Sequence, residues 1–289
     1  MSITVQGWLD HAAAAFQAAS AWRQLAAESS PRQEALWLLG ACLQKDLAWL
    51  YTWSDRELPE SDVARADAWL SRRCAGEPLA YLTGRRDFWS LSLQVTPATL
   101  IPRPDSECLV SAALTLLPET GDVLDLGTGS GAIALALACE RPRASVTAVD
   151  RCPQALAVAA ANGERLRLPV CWLAGDWFAP VAGRRFDLVV SNPPYLAAGD
   201  PHLPGLAWEP LTALVAGDDG LDDFRRIVAA APGHLRAGGW LLVEHGAAQA
   251  ADVAALLQAR GFTAIRHWQD WGGQDRVTGG CWQRDNDAD

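Results

Sequence analysis

No apolar run in the 289-residue chain approaches the ~20 residues that a helix needs to cross a bilayer. The opening residues Met1-Ser2-Ile3-Thr4-Val5 carry neither the basic nor the apolar region of a signal peptide. A soluble cytoplasmic protein with no membrane partner is expected. Lysine is nearly missing: Lys45 stands alone against 23 arginines. Together with the alanine excess, this reads as genome compositional bias rather than function. The seven cysteines, Cys42, Cys74, Cys108, Cys139, Cys152, Cys171 and Cys281, are scattered and form no C-x-x-C pair. The five histidines are equally dispersed. Both facts speak against a disulfide framework and a zinc site, and for reduced thiols in a reducing compartment. An excess of positive charge is missing too. The first 80 residues hold seven basic and ten acidic side chains, the remainder seventeen and twenty-four, for a net charge of −10. Neither part is the basic domain that grips bare nucleic acid through its phosphates, so no direct nucleic-acid partner is expected. There is no internal repeat and no low-complexity tract.

What is present changes character along the chain. Residues 1–84 read as helical, with apolar residues at helix-like spacing over 8–26, 31–51 and 61–74. Ser30-Pro31 and Leu58-Pro59 punctuate them. Trp8, Trp22, Trp37, Trp49, Trp53 and Trp69 suit core and interface packing better than a ligand-stacking surface. Residues 85–104 form a connector. Phe88 to Val95 suggests a short β segment, and Pro97, Pro102 and Pro104 then break regular structure. Asp105 is expected to cap a helix running to about Leu117. From residue 121, strand and helix alternate. Strands are expected at 123–126, 145–150, 169–175, 186–191, 239–244, 262–268 and 276–282. Helices are expected at 131–139, 153–163, 218–232 and 247–259. The alternation implies an α/β fold with a mostly parallel sheet covered on both faces. The tail Asp285–Asp289 is expected to fray.

Asp125-Leu126-Gly127-Thr128-Gly129-Ser130-Gly131 lies between a strand and a helix. Its glycines allow a sharp turn and close approach of a ligand, and the helix N-terminus beyond favours a carboxylate. About twenty residues on, Asp150 ends the next strand, where a carboxylate can accept from both ribose hydroxyls. A glycine turn alone is weak evidence. With strand, helix and strand-terminal acid it indicates a nucleoside cofactor. The G-x-G-x-G spacing tilts the choice from NAD towards S-adenosylmethionine without deciding it. Asp176-Trp177, after the third strand, can hold the adenine, the acid by its exocyclic amine and the indole by its face. Core packing is an equal reading of Trp177 alone.

Asn192-Pro193-Pro194-Tyr195 follows the fourth strand, at the sheet edge where open α/β folds bind ligands. The Asn192 side-chain oxygen and the Pro193 carbonyl can accept two N–H bonds, aiming a planar NH₂ group and stabilising charge that grows on nitrogen. Two prolines stiffen the loop, and Tyr195 offers a flat face. A general base is not obviously needed. This chemistry suits methyl transfer to a poorly nucleophilic nitrogen, and leaves open whether that nitrogen belongs to an amide or a nucleobase.

Further motifs narrow the choice. Gly76-Glu77-Pro78-Leu79-Ala80-Tyr81-Leu82-Thr83-Gly84, Phe88-Trp89 and Thr99 to Glu107 lie in or beside the connector. Leu124 to Gly131, Asp150, Asp176-Trp177, Ser191 to Tyr195, Glu209 to Leu214 and Glu244-His245-Gly246 follow. In these the chain resembles the PrmC/HemK protein-(glutamine-N5) methyltransferases. These modify the glutamine of the Gly-Gly-Gln motif in class-I peptide-chain release factors. The resemblance implies a Rossmann-like class I methyltransferase domain over 105–289, a β connector over 85–104 and a helical substrate-recognition domain over 1–84. It implies Gly127, Thr128, Gly129, Ser130, Gly131, Asp150, Trp177 and Asn192 around S-adenosylmethionine, and Asn192, Pro193, Pro194 and Tyr195 around the glutamine amide. Arg103 is a weaker candidate for the substrate, a structural ion pair being its alternative. Pro201 to Trp208 is shorter than in close relatives, and Gly279-Gly280-Cys281 is atypical. The competing classes are a nucleic-acid amino-methyltransferase, a cofactor-binding module without catalysis and, more distantly, a hydride-transfer enzyme.

Overall fold

The computed structural model describes residues 3–25 and 29–283. The expected frayed tail lies outside them. The chain divides into two compact units, one of Met1–Gly84 with Pro204–Trp208, the other of Arg85–Leu203 with Glu209–Asp289. Among the described residues no helix is long and apolar enough to cross a membrane.

The first unit is helical: Val5–Ala18 (α1), Ser20–Leu25 (α2), Pro31–Leu43 (α3), Leu47–Thr52 (α4), Glu60–Cys74 (α5) and Leu79–Thr83 (α6). Two of the expected long helices are each split in two. The first starts early because the Thr4 hydroxyl caps Gly7 N, and breaks at Ala19, whose backbone is extended. The second ends at Gln44, which is left-handed at φ 54°, and Asp46 restarts the chain as α4 by accepting from Trp49 N. Periodicity carries across such breaks because the apolar faces stay aligned on one core, of Val5, Trp8, Leu9, Phe16, Leu38, Leu39 and Leu50 among others. The Trp8 indole donates to Asp67 at 2.8 Å, and Arg73 pairs with the buried Glu34 at 2.7 Å. Trp8 and Trp22 are core residues, whereas Trp37 and Trp53 are exposed. The packing reading of the tryptophans therefore holds for only part of the set.

The second unit opens with the hairpin Arg85–Phe88 (β1) and Leu91–Gln94 (β2). Glu107–Leu116 (α7) follows a short turn at Pro104–Ser106. The expected cap at Asp105 is corrected here. Asp105 lies inside that turn, and its carboxylate pairs with Arg276 at 3.0 Å. An ion pair across the fold outcompetes the local cap. Then come Asp122–Leu126 (β3), Ala132–Glu140 (α8), Ser145–Asp150 (β4), Pro153–Leu166 (α9), Cys171–Ala174 (β5), Phe186–Ser191 (β6), Asp222–Ala230 (α10), Leu235–Glu244 (β7), Ala250–Arg260 (α11), Thr263–Gln269 (β8) and Asp275–Trp282 (β9).

The sheet order is β5-β4-β3-β6-β7-β9-β8. The first five strands are parallel, and β9 runs antiparallel to both neighbours. One face buries Val123, Leu188, Val190 and Leu242 against α7 and α8; the other buries Leu124, Val189, Leu241 and Val243 against α10 and α11. Burial on both faces explains why these strands read as apolar runs. All parallel strands end on one edge, so the loops after β3, β4, β5, β6 and β7 meet there.

The atypical Gly279-Gly280 has a packing cause. A Cβ on Gly279 would lie 2.2 Å from Leu242 Cδ2 and 2.9 Å from the Leu241 carbonyl oxygen, and one on Gly280 2.9 Å from Phe262 Cβ. Gly279→Val should therefore cost about 1–3 kcal/mol through overpacking. Urea unfolding with an unchanged midpoint would refute this account.

Candidate functional site

The glycine loop is held from beneath. Gly127 N and Thr128 N both donate to the Val149 carbonyl, at 2.9 and 3.0 Å. Asn162, fully buried in α9, donates to Ser130 O and pairs with both backbone groups of Gln94. Gly129 takes φ 59° and has open space where a Cβ would stand, whereas a Cβ on Gly131 would press on Trp172, Leu135 and Ala159 at 3.0–3.2 Å. One glycine leaves room for a ligand, and the other lets α8 pack on the sheet.

Asp150 closes the loop. Its Oδ2 accepts from Gly129 N and its Oδ1 from Cys152 N, both at 2.8 Å. Each oxygen keeps a lone pair for a further donor. Asp125 lies below, fully buried, and accepts from the Thr128 hydroxyl at 2.6 Å. Burial pushes its carboxyl up to about 7, and the neighbouring Asp150 charge adds to that.

These residues border a cavity that opens to solvent. Gly127, Gly129, Asp150, Asp176, Trp177, Asn192 and Pro194 line it. Thr128, Ser130 and Gly131 shape the loop from behind. Trp177 takes φ 47°, and its ring lies 3.4 Å from the Cβ position of Gly127. Its buried Nε1 has no partner among the described residues. Asp176 is ion-paired with Arg226, which leaves its second oxygen free to accept from a ligand.

The tetrapeptide is anchored at both ends. The Ser191 hydroxyl donates to the Leu126 carbonyl at 2.8 Å. Tyr195 N donates to Leu214 O, and Tyr195 O accepts from Gln249 Nε2 at 3.0 Å. Burial, with the charge of Glu244, pushes the Tyr195 phenol up to about 12. Pro193 is buried, and Tyr195 packs beside the α10–α11 face; neither lines the cavity. Asn192 Nδ2 donates to Ser106 Oγ at 3.2 Å.

Arg103 does not line the cavity either. It is ion-paired with the buried Glu209, whose second oxygen accepts from Ile101 N at 2.9 Å. That pair ties together the two stretches that wall the cavity, Ala98–Leu100 and Pro210–Ala213. Cavity residues not foreseen individually are Thr99, Leu100, Arg151, Cys152, Thr212 and Ala213. Only their nearness to the connector motif, to Asp150 and to Glu209-Pro210 could have signalled them. Glu244 is the other omission. It is buried against Ser106 and Asn192, although the sequence marks it only as part of Glu244-His245-Gly246.

Comparisons with known proteins place the chain in a family. A family model described as the PrmC N-terminal domain matches residues 8–84, and one described as the methyltransferase small domain matches 104–208. The release factor glutamine methyltransferase of Pseudomonas aeruginosa is 52% identical over 90% of this chain and 95% of its own length. That of Vibrio cholerae is 45% identical over all of both chains. Among solved structures, a methyltransferase from Pyrococcus furiosus matches with a TM-score of 0.55 at 18% identity, covering 75% of this chain and all of its own. The Thermus thermophilus 16S rRNA methyltransferase RsmC, solved with AdoMet and guanosine, matches with a TM-score of 0.51 at 22% identity, covering 69% of this chain and 50% of its own. Sheet order, glycine loop and the cavity at the carboxyl edge define a Rossmann-like methyltransferase. Within that class, the chain belongs to the release factor glutamine methyltransferase family.

Removing the Glu209 carboxylate should loosen the cavity wall. Glu209→Ala leaves Ile101 N and Arg103 without their acceptor and should lower stability by about 1–3 kcal/mol. Denaturant titration checks this, and a loss below about 0.5 kcal/mol would mean that the pair is dispensable.

Proposed function

We propose that this enzyme transfers the methyl group of S-adenosylmethionine to the side-chain amide nitrogen, N5, of the glutamine in the Gly-Gly-Gln motif of class-I peptide-chain release factors. It would thereby modulate translation termination in the cytoplasm. One observation carries the chemistry: Asn192 and Pro194 line the same cavity as Gly127, Gly129 and Asp150. The names of relatives at 45–52% identity support the choice of substrate.

The chain's groups fit the cofactor. Asp150 presents a carboxylate held by two backbone amides and suited to ribose hydroxyls. The left-handed glycines and the start of α8 suit the carboxylate of the methionine part. Trp177 and Asp176 flank the place for the adenine. Bound S-adenosylmethionine supplies a methyl group activated by a sulfonium.

The protein's part is aim. An amide nitrogen's lone pair is delocalised into its carbonyl, so orientation and charge stabilisation must compensate for weak nucleophilicity. The Asn192 side-chain oxygen and the Pro193 carbonyl accept the two N–H bonds of the glutamine. As the N–C bond formed, the methyl–sulfur bond would break with its electron pair left on sulfur, the positive charge would pass to the nitrogen, and those two acceptors would stabilise it. The N-methylated nitrogen is acidic enough to lose its proton to water. Tyr195 and the proline pair keep the loop rigid, and Arg103 supports the rim near the substrate. The helical unit, matched by the PrmC N-terminal model, is assigned to engaging the release factor.

Mass spectrometry of the Gly-Gly-Gln peptide, after incubation with enzyme and labelled methyl donor, should show one added methyl group on glutamine. DNA and RNA assayed alongside should stay unlabelled, and labelling of nucleic acid alone would overturn the reading. Asn192→Ala should cut turnover ~10²-fold or more while cofactor affinity stays within about tenfold. Asp150→Ala should instead weaken cofactor binding by ~1–3 kcal/mol in calorimetry. A change confined to the maximal rate would mean that Asp150 is no ribose ligand.

A further inference from the structure

We infer that Glu244 is a positioning residue for Asn192: as a carboxylate it dictates which end of the Asn192 carboxamide faces the substrate. The inference rests on the methyl-transfer role proposed for Asn192.

The geometry runs as a chain of three side chains at the carboxyl edge of the sheet. Ser191 of β6 pairs with Val243 of β7, so Asn192 and Glu244 are the next residues on adjacent parallel strands. The alternation of strand residues sends Val190 and Leu242 to the face covered by α7, and Asn192 and Glu244 follow on that side. There they meet Ser106, which precedes α7. Asn192 Nδ2 donates to Ser106 Oγ at 3.2 Å. Glu244 lies close enough to Ser106 and Asn192 for the polar groups of both to favour its charged form. Glu244 is 2% exposed, and its Oε2 has no partner among the described residues.

Proton counting gives the direction. A hydroxyl has one proton to donate. A carboxylate at Glu244 accepts only, so it takes the Ser106 proton and leaves Ser106 Oγ as an acceptor. Asn192 can then offer these neighbours only its NH₂ end. Its Oδ1 is turned away from them, free to accept from the substrate amide. A neutral carboxyl at the same place can donate. It can reverse the Ser106 hydroxyl, so that Ser106 donates to Asn192 Oδ1 and the amide turns over. The substrate would then meet a second NH₂ group instead of an acceptor.

Glu244 is poised between the two states. Burial pushes it up to about 7, and Asp105 in the preceding turn adds to that. Arg276 on β9 and the bonds from Ser106 and Asn192 pull it down. Cys108 and Tyr195 also feel its charge, and both are held neutral by burial. His245, next in the chain, is pushed down by burial, which disfavours its charged form. The start of α7 favours the anion. The acceptor-only form therefore predominates above neutrality and is lost as the pH falls below it.

The test uses the full chain, loaded with cofactor, and three readouts. First, kcat of the wild type on a Gly-Gly-Gln release factor should fall on the acid side of a limb near neutrality. Glu244→Gln should lower kcat about tenfold or more, abolish that limb and keep KM for S-adenosylmethionine within about twofold, the pattern of a lost transition-state contact. Second, Glu244→Asp should retain the limb, and Ser106→Ala should lower kcat less than Glu244→Gln. Third, the ¹⁵N signal of the Asn192 side chain, assigned by its absence from Asn192→Ala, should titrate between about pH 5 and 9 in the wild type and not in Glu244→Gln. Wild-type kcat with an unchanged limb in Glu244→Gln, or an Asn192 signal that does not titrate in the wild type, would overturn the assignment. If the wild type methylates no Gly-Gly-Gln glutamine, the proposed substrate falls, and the titration of Asn192 still decides the role of Glu244.

Discussion

The register between β3 and β6 is the constraint on which the site depends. Leu126 lies opposite Ser191, and the Ser191 hydroxyl locks the match by donating to the Leu126 carbonyl. The next residues on each side are Gly127 and Asn192. The glycine turn and the tetrapeptide therefore leave adjacent strands at the same level and face one cavity. A slip of one residue would exchange the two faces of β6, bringing Val189 and Val190 to the wrong cores. The two apolar layers thus enforce the geometry of a polar site with which they share no chemistry.

Around that register the fold gathers acids. Asp125 on β3, Asp150 at the end of β4 and Glu244 at the end of β7 are all buried at the carboxyl edge. Burial favours the neutral form of Asp125 and Glu244, and nearby donors oppose it. Asp150 receives two backbone amides. Asp125 has the Thr128 hydroxyl, and Glu244 has the Ser106 and Asn192 side chains; both remain pushed up to about 7. Arg103 and Glu209 belong to the same economy of charge. Their pair serves the wall of the cavity, with Glu209 also holding the Ile101 amide.

Features legible in the sequence were those set by short-range rules. Strand placement followed from buried apolar runs, and the place of the glycine loop from its position between a strand and a helix. What escaped were contests between local and distant partners. Asp105 could cap a helix locally, yet Arg276 holds its carboxylate across the fold. The helices expected over 8–26 and 31–51 break at Ala19, whose backbone is extended, and at Gln44, which turns left-handed before Asp46 caps a new helix; periodicity does not register such local breaks. Trp37 and Trp53 show no sign of exposure in their spacing, since a helix's apolar stripe does not say how far its neighbours cover it.

The order of residues alone determined the class of fold, and it is the source of the roles proposed for the glycine loop and for Asn192-Pro193-Pro194-Tyr195. Each rests on neighbours within a few positions, where backbone geometry leaves little choice. Tertiary structure decided which groups join Asn192. Ser106 is 86 positions away in sequence and lies within 3.2 Å of its amide. Glu244 arrives from a strand that no local pattern connects to it. Only packing of β6, β7 and α7 brings the three together, and with them the burial that sets the charge on Glu244.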